Sequence, residues 1–389
     1  MPEDDSLFTI TEAHLDSGMR GIPVGTCRTS FVDPIKGVHY VGYPVEDLVN
    51  LEEEDVIYLL MNKRLPTEDE SKAFRDELVQ RGENIPTGAL RVLESLTPGS
   101  GHPMDWLSIG IMALGTAETT GDTRGDAMNL IARMPELMAR IFRLRNGKQE
   151  RLRPRKPELG LVENFVHMMG YEGERAVRVT RVLRFFFILH MDHGGGNLCT
   201  FSGKAVASGW ASIYSSLASA MNALSGPLHG RANQACLEFV QRIGTSDHDE
   251  IEAFVREELD NRRPIYGFGH GVLRAEDPRA RLLIELGEEV CPEDANFLIV
   301  KALREVIPPI LGEIPKISNP HANVDLASGS LLHSVGFRLP EYYTTFFGWA
   351  RVAGICAQIL DERSAREGRG TPIYRPKYIP REQPHQRLE

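Results

Sequence analysis

Long apolar runs are missing from this 389-residue chain. The most apolar short stretch spans only residues 185–189, where a membrane-spanning helix needs about 20. Nor does the chain open on an apolar segment. It begins Met-Pro-Glu-Asp-Asp, so neither a secretory signal nor a transit peptide is expected. Cysteine is scarce: Cys27, Cys199, Cys236, Cys291 and Cys356 form no CxxC pair and are odd in number. That excludes a disulfide scaffold and predicts reduced thiols in a cytoplasmic protein. Basic charge is in deficit, with 44 Lys and Arg against 54 Asp and Glu and a net charge of −10. Non-specific nucleic-acid binding needs a basic field, so it is not expected. There is no repeat at a fixed period.

What remains is an ordinary globular composition, 42% apolar and 25% charged, enough for one large core and a smaller second one. The length predicts about two domains. Residues 29–32 and 38–41 flank Asp33-Pro-Ile-Lys-Gly37, a hairpin turn. From Val45 onward the apolar spacing is helical, over 47–62, 68–81 and 126–145. In the last, Leu130, Met134, Leu137, Ile141 and Leu144 share a stripe. No later segment sustains period-two alternation, so the chain reads as mostly α.

Residues 140–156 carry eight Lys and Arg, including Arg151, Arg153, Arg155 and Lys156. Because no aromatic residue interleaves after Phe142, a solvated helix end and loop is preferred over a nucleic-acid patch. The polar tail 380–389 is expected to be disordered or draped on the surface. In 205–224, Val206, Trp210, Ile213, Leu217, Met221 and Leu224 form one helical stripe, and the other faces are almost all Ala, Ser or Gly. A helix this small and uncharged is expected to be buried, inside the monomer or against a second copy.

Three clusters pair histidine with glycine: His190-Met-Asp192-His193-Gly-Gly-Gly-Asn197, Gly226-Pro-Leu-His229-Gly and Tyr266-Gly-Phe-Gly-His270-Gly. Glycine lets a ligand approach the main chain closely. One such histidine alone reads as a hydrogen-bonded turn residue; three within so short a span suggest a site. A metal set of His190, Asp192, His193, His229, His270 and Asp325 is conceivable. However, no HExxH motif is present, and Arg274, Arg279 and Arg351 would oppose a cation while suiting an anionic substrate. Arg351 lies mid-way along the apolar helix expected over 341–360. Its guanidinium needs a carboxylate, supplied either by the protein or by a substrate. Asp325, in Asn323-Val-Asp325-Leu-Ala-Ser-Gly, reads either as the cap of a helix starting near Ser328 or as a base for C–H abstraction.

At these residues the chain resembles the citrate synthase family, most closely the subgroup that includes the mitochondrial enzymes. The resemblance runs from Gly18-Met-Arg20-Gly to Arg375-Pro376, on HMDHGGGN, SAMNALSGPLHGRANQ, YGFGHGVLRAEDPR and NVDLASG in that order. It implies an all-α fold with a large domain (1–230 and 336–389), a small domain (231–335) and a minor β-hairpin near the N-terminus. It implies condensation of acetyl-CoA with oxaloacetate and hydrolysis of citryl-CoA, by an acyltransferase that is a homodimer with shared sites. His229 matches the histidine that hydrogen-bonds the thioester oxygen, Asp325 the base, and His270 the histidine polarising the ketone. His193, Arg279, Arg351 and, more loosely, Asn197 match oxaloacetate contacts. Arg375 matches an arginine reaching in from the partner subunit. Arg20 and Arg274 match positions near the coenzyme A phosphates. Coenzyme A thioester is a substrate; no cofactor or metal is implied, and no membrane or nucleic-acid partner.

The chain departs from the family at Gly194 (usually acidic), Phe268 (commonly Tyr) and Arg231 (usually small or apolar), and it has a longer segment between Arg351 and Arg375. The alternatives are the same chemistry on propionyl-CoA, giving 2-methylcitrate, and, from other classes, a metal-dependent hydrolase or a non-catalytic relative.

Overall fold

The computed structural model describes residues 8–148 and 152–379. Arg151, from the basic stretch, and the tail 380–389 lie outside the described residues.

A small antiparallel sheet comes first. β1 (Ser30–Asp33) pairs with β2 (Gly37–Tyr40) from Ser30↔Tyr40 to Asp33↔Gly37, and β3 (Tyr43–Pro44) adds a short third strand to the expected hairpin. Asp33 Oδ1 closes the turn by accepting the N–H groups of Ile35 and Lys36 at 2.8 and 2.7 Å.

The rest is helical: α1 (Val45–Leu48), α2 (Glu53–Asn62), α3 (Glu68–Arg81), α4 (Thr87–Glu94), α5 (Pro103–Glu118), α6 (Thr123–Arg145), α7 (Leu161–Met168), α8 (Gly173–His190), α9 (Leu198–Ser208), α10 (Ile213–Leu224), α11 (Ala232–Ile243), α12 (His248–Asp260), α13 (Pro278–Val290), α14 (Ala295–Gly312), α15 (Asp325–Ser334) and α16 (Tyr343–Ser364). The all-α expectation holds. On α6, Leu130, Met134, Leu137 and Ile141 are fully buried, and Asp122 caps the helix by accepting the Arg124 N–H. α16 is apolar nearly all round and is buried from Tyr343 to Ile359 except at Phe347. It packs against α2, α5, α6, α8, α9 and α10, as a helix without a polar face must. Helices α11, α13 and α14 pack on α15, and α12 on α14. Among the described residues no helix is long and apolar enough to cross a membrane.

Two expected helices are each divided. The pattern over 47–62 breaks between α1 and α2, where the extended backbone of Glu52 restarts the helix. The stripe over 205–224 breaks at Gly209 and Trp210. Trp210 adopts a left-handed φ of +60° and is 58% exposed, and the Ser212 hydroxyl caps α10 by accepting the Ser215 N–H at 3.1 Å. Ile213, Leu217, Met221 and Leu224 do form the buried stripe. Ser216 and Ala220 turn toward α9 within the chain. A Cβ on Gly203 would meet the Ser216 carbonyl at 3.1 Å and the Ala220 Cβ at 3.2 Å, so glycine permits this close contact. The basic stretch also departs from a purely solvated reading: Arg155 donates inward to the carbonyls of Gly82 and Ala132 at 2.8 and 2.9 Å.

Candidate active site

The three histidine-glycine clusters are loops joining α8 to α9, α10 to α11, and α12 to α13. A fourth loop leads into α15. The third and fourth are laced together. Gly269 N–H donates to the His321 carbonyl and Asn323 N–H to the Gly267 carbonyl, both at 2.9 Å. Asn323 Nδ2 donates to the Gly269 carbonyl at 2.9 Å. This lacing sets His270 and Asp325 in a fixed relation. Gly267 and Gly269 hold φ of +84° and +80°, which only glycine adopts without strain.

His229 stands at a tight turn that Arg231 closes by donating to the Ser225 carbonyl at 2.7 Å. Its Nε2 accepts the backbone N–H of Cys199 at 3.2 Å. His270 is bonded the other way round, its Nδ1 accepting the N–H groups of Val272 and Leu273 at 3.0 and 2.9 Å. Burial, then the nearby Arg351, lowers His229 to about 4. Burial, then Arg279, lowers His270 to about 4. The His193 ring lies 5.3 Å from that of His270, and its Nε2 is buried without a partner among the described residues. Burial, Arg279, Arg351 and His270 hold it well below the usual imidazole value.

Asp325 begins α15, and its N–H donates to Asn323 Oδ1 at 3.0 Å. The residue before the helix, Val324, supplies no side-chain cap, and the Asp325 carboxylate makes no hydrogen bond or ion pair with the described residues. The capping reading therefore fails. Burial raises its pKa to about 6, with Arg279 opposing and Asp277 assisting.

The two buried arginines differ. Arg279 is held by Asp277 through Nε at 3.0 Å and Nη2 at 2.7 Å. Arg351 is 2% exposed and donates from Nε to the His190 carbonyl at 3.0 Å; its guanidinium lies 4.8 Å from the Phe347 ring. No carboxylate among the described residues pairs with it, so the internal-partner reading fails for Arg351.

Asn197 is engaged within its own loop. Its Oδ1 caps α9 by accepting the Thr200 N–H and the Cys199 thiol at 3.1 and 2.9 Å, and its Nδ2 donates to the carbonyls of Gly194 and His193 at 3.0 and 3.4 Å. That amide ties the loop. Three residues are not drawn into the cluster. Arg20 is exposed in a turn, and Arg375 is exposed on the C-terminal segment with no hydrogen bond or ion pair to the described residues. Arg274, also exposed, donates back to its own loop carbonyls at Val272 and Leu273.

Sequence reasoning gave no role to Asp277, although Asp-Pro just before a helical stripe is a start signal. Asp277 accepts the Arg279 N–H at 3.0 Å as the α13 cap and binds the side chain as well. Among the described residues, the one His/Cys/Asp/Glu group close enough to share an ion is Glu52, Glu53 and Glu54. It lies elsewhere, and Arg184 sits on Glu52 and Glu53 at 2.8 and 2.7 Å.

The sequence profile described as "Citrate synthase, C-terminal domain" matches residues 18–377. The chain is 33% identical to mitochondrial citrate synthase 5 of Arabidopsis thaliana, over 93% of this chain and 81% of that protein. It is 31% identical to the mitochondrial 2-methylcitrate synthase of Aspergillus fumigatus, over 97% and 86%. The crystal structure of citrate synthase from Thermotoga maritima MSB8 superimposes with a TM-score of 0.82 at 30% identity, over 95% and 97%. The expected cytoplasmic location is overturned by the relatives whose names give a location: these are mitochondrial, with a peroxisomal one from Saccharomyces cerevisiae, and none is named as cytoplasmic. With nearly its whole length matched, the chain belongs to the citrate synthase family and is an acyltransferase of that type.

Proposed function

We propose that this chain condenses acetyl-CoA with oxaloacetate and hydrolyses the resulting citryl-CoA to citrate and CoA. The observation that carries the reading is a buried carboxylate, Asp325, without a partner among the described residues, in a loop laced to that of His270, together with two histidines, His229 and His270, held in opposite tautomers. Since Nε2 of His229 accepts a bond, the proton of that ring belongs on Nδ1; on His270 it belongs on Nε2. Each ring thus keeps one N–H to offer a substrate oxygen.

In the first step the Asp325 carboxylate takes a proton from the thioester methyl group. His229 Nδ1–H donates to the thioester oxygen as negative charge gathers there, which a water-poor site makes worth more. The new carbon nucleophile attacks the ketone carbon of oxaloacetate while His270 Nε2–H donates a hydrogen bond to the ketone oxygen; that oxygen becomes the hydroxyl of citryl-CoA by taking up one proton, which balances the one Asp325 removed and leaves the His270 ring neutral. Water then cleaves the thioester, leaving a carboxylate and the CoA thiol. Arg351, with its fork open, and His193 receive oxaloacetate carboxylates. Arg279, braced by Asp277, adds positive field and an Nη1 within reach of the pocket wall at the Leu189 carbonyl, 3.5 Å away. Arg20 and Arg274 are the exposed cations for the CoA phosphates.

The reading includes two domains, 1–230 with 336–389 and 231–335. The packing of α11, α13 and α14 on α15, with α12 on α14, supports the division, and closure would bring two substrates into contact in a dry site. It also includes a homodimer in which the partner subunit's Arg375 completes the oxaloacetate site. An Arg375 that is exposed and has no partner among the described residues fits that role.

A second reading, propionyl-CoA as the acyl donor, is favoured by the 2-methylcitrate synthase relative. Thiol release from each acyl-CoA, with and without oxaloacetate, tests both.

A further inference from the structure

One buried anion beside the site has no part in the steps above. Asp192 is fully buried. Its carboxylate accepts three donors from three places in the chain: the Thr29 hydroxyl at 2.7 Å, Gln358 Nε2 of α16 at 2.7 Å, and the backbone N–H of His193 at 2.8 Å. Its own N–H donates to the Tyr40 hydroxyl at 3.2 Å, which donates to the Ile188 carbonyl at 2.8 Å. Next along the loop, Gly194 N–H donates to the Ser30 hydroxyl at 2.7 Å. The His193 loop is thereby tied to β1 and β2 on one side and to α16 on the other. A Cβ on Gly354 would lie 2.8 Å from the Asp192 Cβ, so glycine on α16 leaves room for this side chain.

The same sheet reaches the other half of the site. The Pro34 carbonyl accepts the Arg274 N–H at 2.7 Å, and a Cβ on Gly37 would meet the Pro278 ring at 2.7 Å. Gln358 is also two turns beyond Arg351 on the same face of α16. A buried carboxylate is tolerable only when donors satisfy it, and these donors come from the elements that must be aligned. Among the described residues His193 Nε2 has no bonding partner, so its ring is aimed through its backbone.

We propose that Asp192 is a positioning residue for the ketoacid half of the site: one carboxylate clamps Thr29, Gln358 and the His193 N–H and so aims the His193 ring beside Arg351. The proposal rests on the reading that His193 and Arg351 receive oxaloacetate.

The test uses full-length Asp192→Ala and Asp192→Asn, with steady-state thiol release and calorimetric titration of oxaloacetate. In Asp192→Ala the KM and Kd for oxaloacetate should rise at least about tenfold, while the KM for acetyl-CoA at saturating oxaloacetate stays within about twofold. Asp192→Asn should recover most of the loss, because its Oδ1 still accepts from the His193 N–H and from Gln358 Nε2, and the Thr29 hydroxyl can turn to accept the new N–H. A merely structural role would lower the melting temperature and move both KM values alike; that result overturns the proposal. So does an oxaloacetate KM within about twofold of wild type in folded Asp192→Ala. Should that variant be insoluble, Thr29→Val and Gln358→Leu each remove one donor. A rise of about threefold in the oxaloacetate KM supports the clamp, and no change in either variant overturns it. Wild-type protein that binds no oxaloacetate sinks the underlying reading, whereas an unaffected variant beside a binding wild type sinks only the clamp.

Discussion

The backbone N–H of Cys199 donates to Nε2 of His229 at 3.2 Å, and this bond assigns the ring proton to the other nitrogen. At His270 two loop N–H groups hold Nδ1 instead. Both rings stay neutral at working pH because burial, aided by Arg351 or Arg279, holds them near 4. A neutral donor stabilises a growing oxyanion without adding a third full positive charge beside the two arginines.

Of Asp325, His229 and His270, Asp325 is the one expected to titrate in the working range. With its pKa raised to about 6, the base is active only when deprotonated. The rate with acetyl-CoA should therefore fall about tenfold per unit below pH 6 and be level above pH 7. A pH–rate profile of kcat/KM checks this; a limb near 4 with none near 6 contradicts it.

The same shift has a stability consequence. Folding raises this carboxyl above its ordinary value, so the folded state is favoured when the group is protonated, and that advantage is lost as pH rises from about 4 through 6. Asp325→Asn, which mimics the protonated form, should melt above wild type at pH 7.5, with the difference vanishing below pH 4. It should also lose at least about 10² in turnover while keeping oxaloacetate affinity. Scanning calorimetry and the thiol-release assay read the two effects separately.

Arg351 and Arg279 should respond differently to truncation. Arg279→Ala leaves Asp277 buried and unpaired, costing about 3–5 kcal/mol. Arg351→Ala orphans no carboxylate, so melting should change little while oxaloacetate affinity falls about 10–100-fold. Arg351→Lys should rescue poorly, since a point charge does not reproduce the bidentate fork. Thermal melts beside calorimetric titrations check the contrast.

Asp325→Asn and Arg375→Ala chains, each inactive alone, should regain partial activity when mixed, because one site of a mixed dimer holds both residues intact. Subunit exchange in sedimentation without returning activity would remove Arg375 from the neighbouring site.

Periodicity carried much of the fold, because burial selects apolar residues at helical spacing. Glu68–Arg81 emerges with both ends as expected, and the α6 stripe is buried as read. Breaks were harder to see. Trp210 sits in register with the stripe, yet Gly209 before it and the capping Ser212 after it turn the chain. For the site, the histidine-glycine clusters and a lone arginine in an apolar helix were legible because their side chains are chemically unusual in those settings. The tautomers were not, since they are set by the N–H groups of Cys199, Val272 and Leu273, and a backbone donor leaves no mark on residue identity. The locking of Asn197 and the pairing of Asp277 with Arg279 likewise depend on which lone pairs remain free, which folding decides.

The most direct measurement is thiol release by purified protein from acetyl-CoA and from propionyl-CoA, each with and without oxaloacetate, with the acid product identified by mass. The account predicts release that requires oxaloacetate, is faster with acetyl-CoA, and yields one citrate per CoA. Release without oxaloacetate, no release at all, or a preference for propionyl-CoA with 2-methylcitrate as product would contradict it.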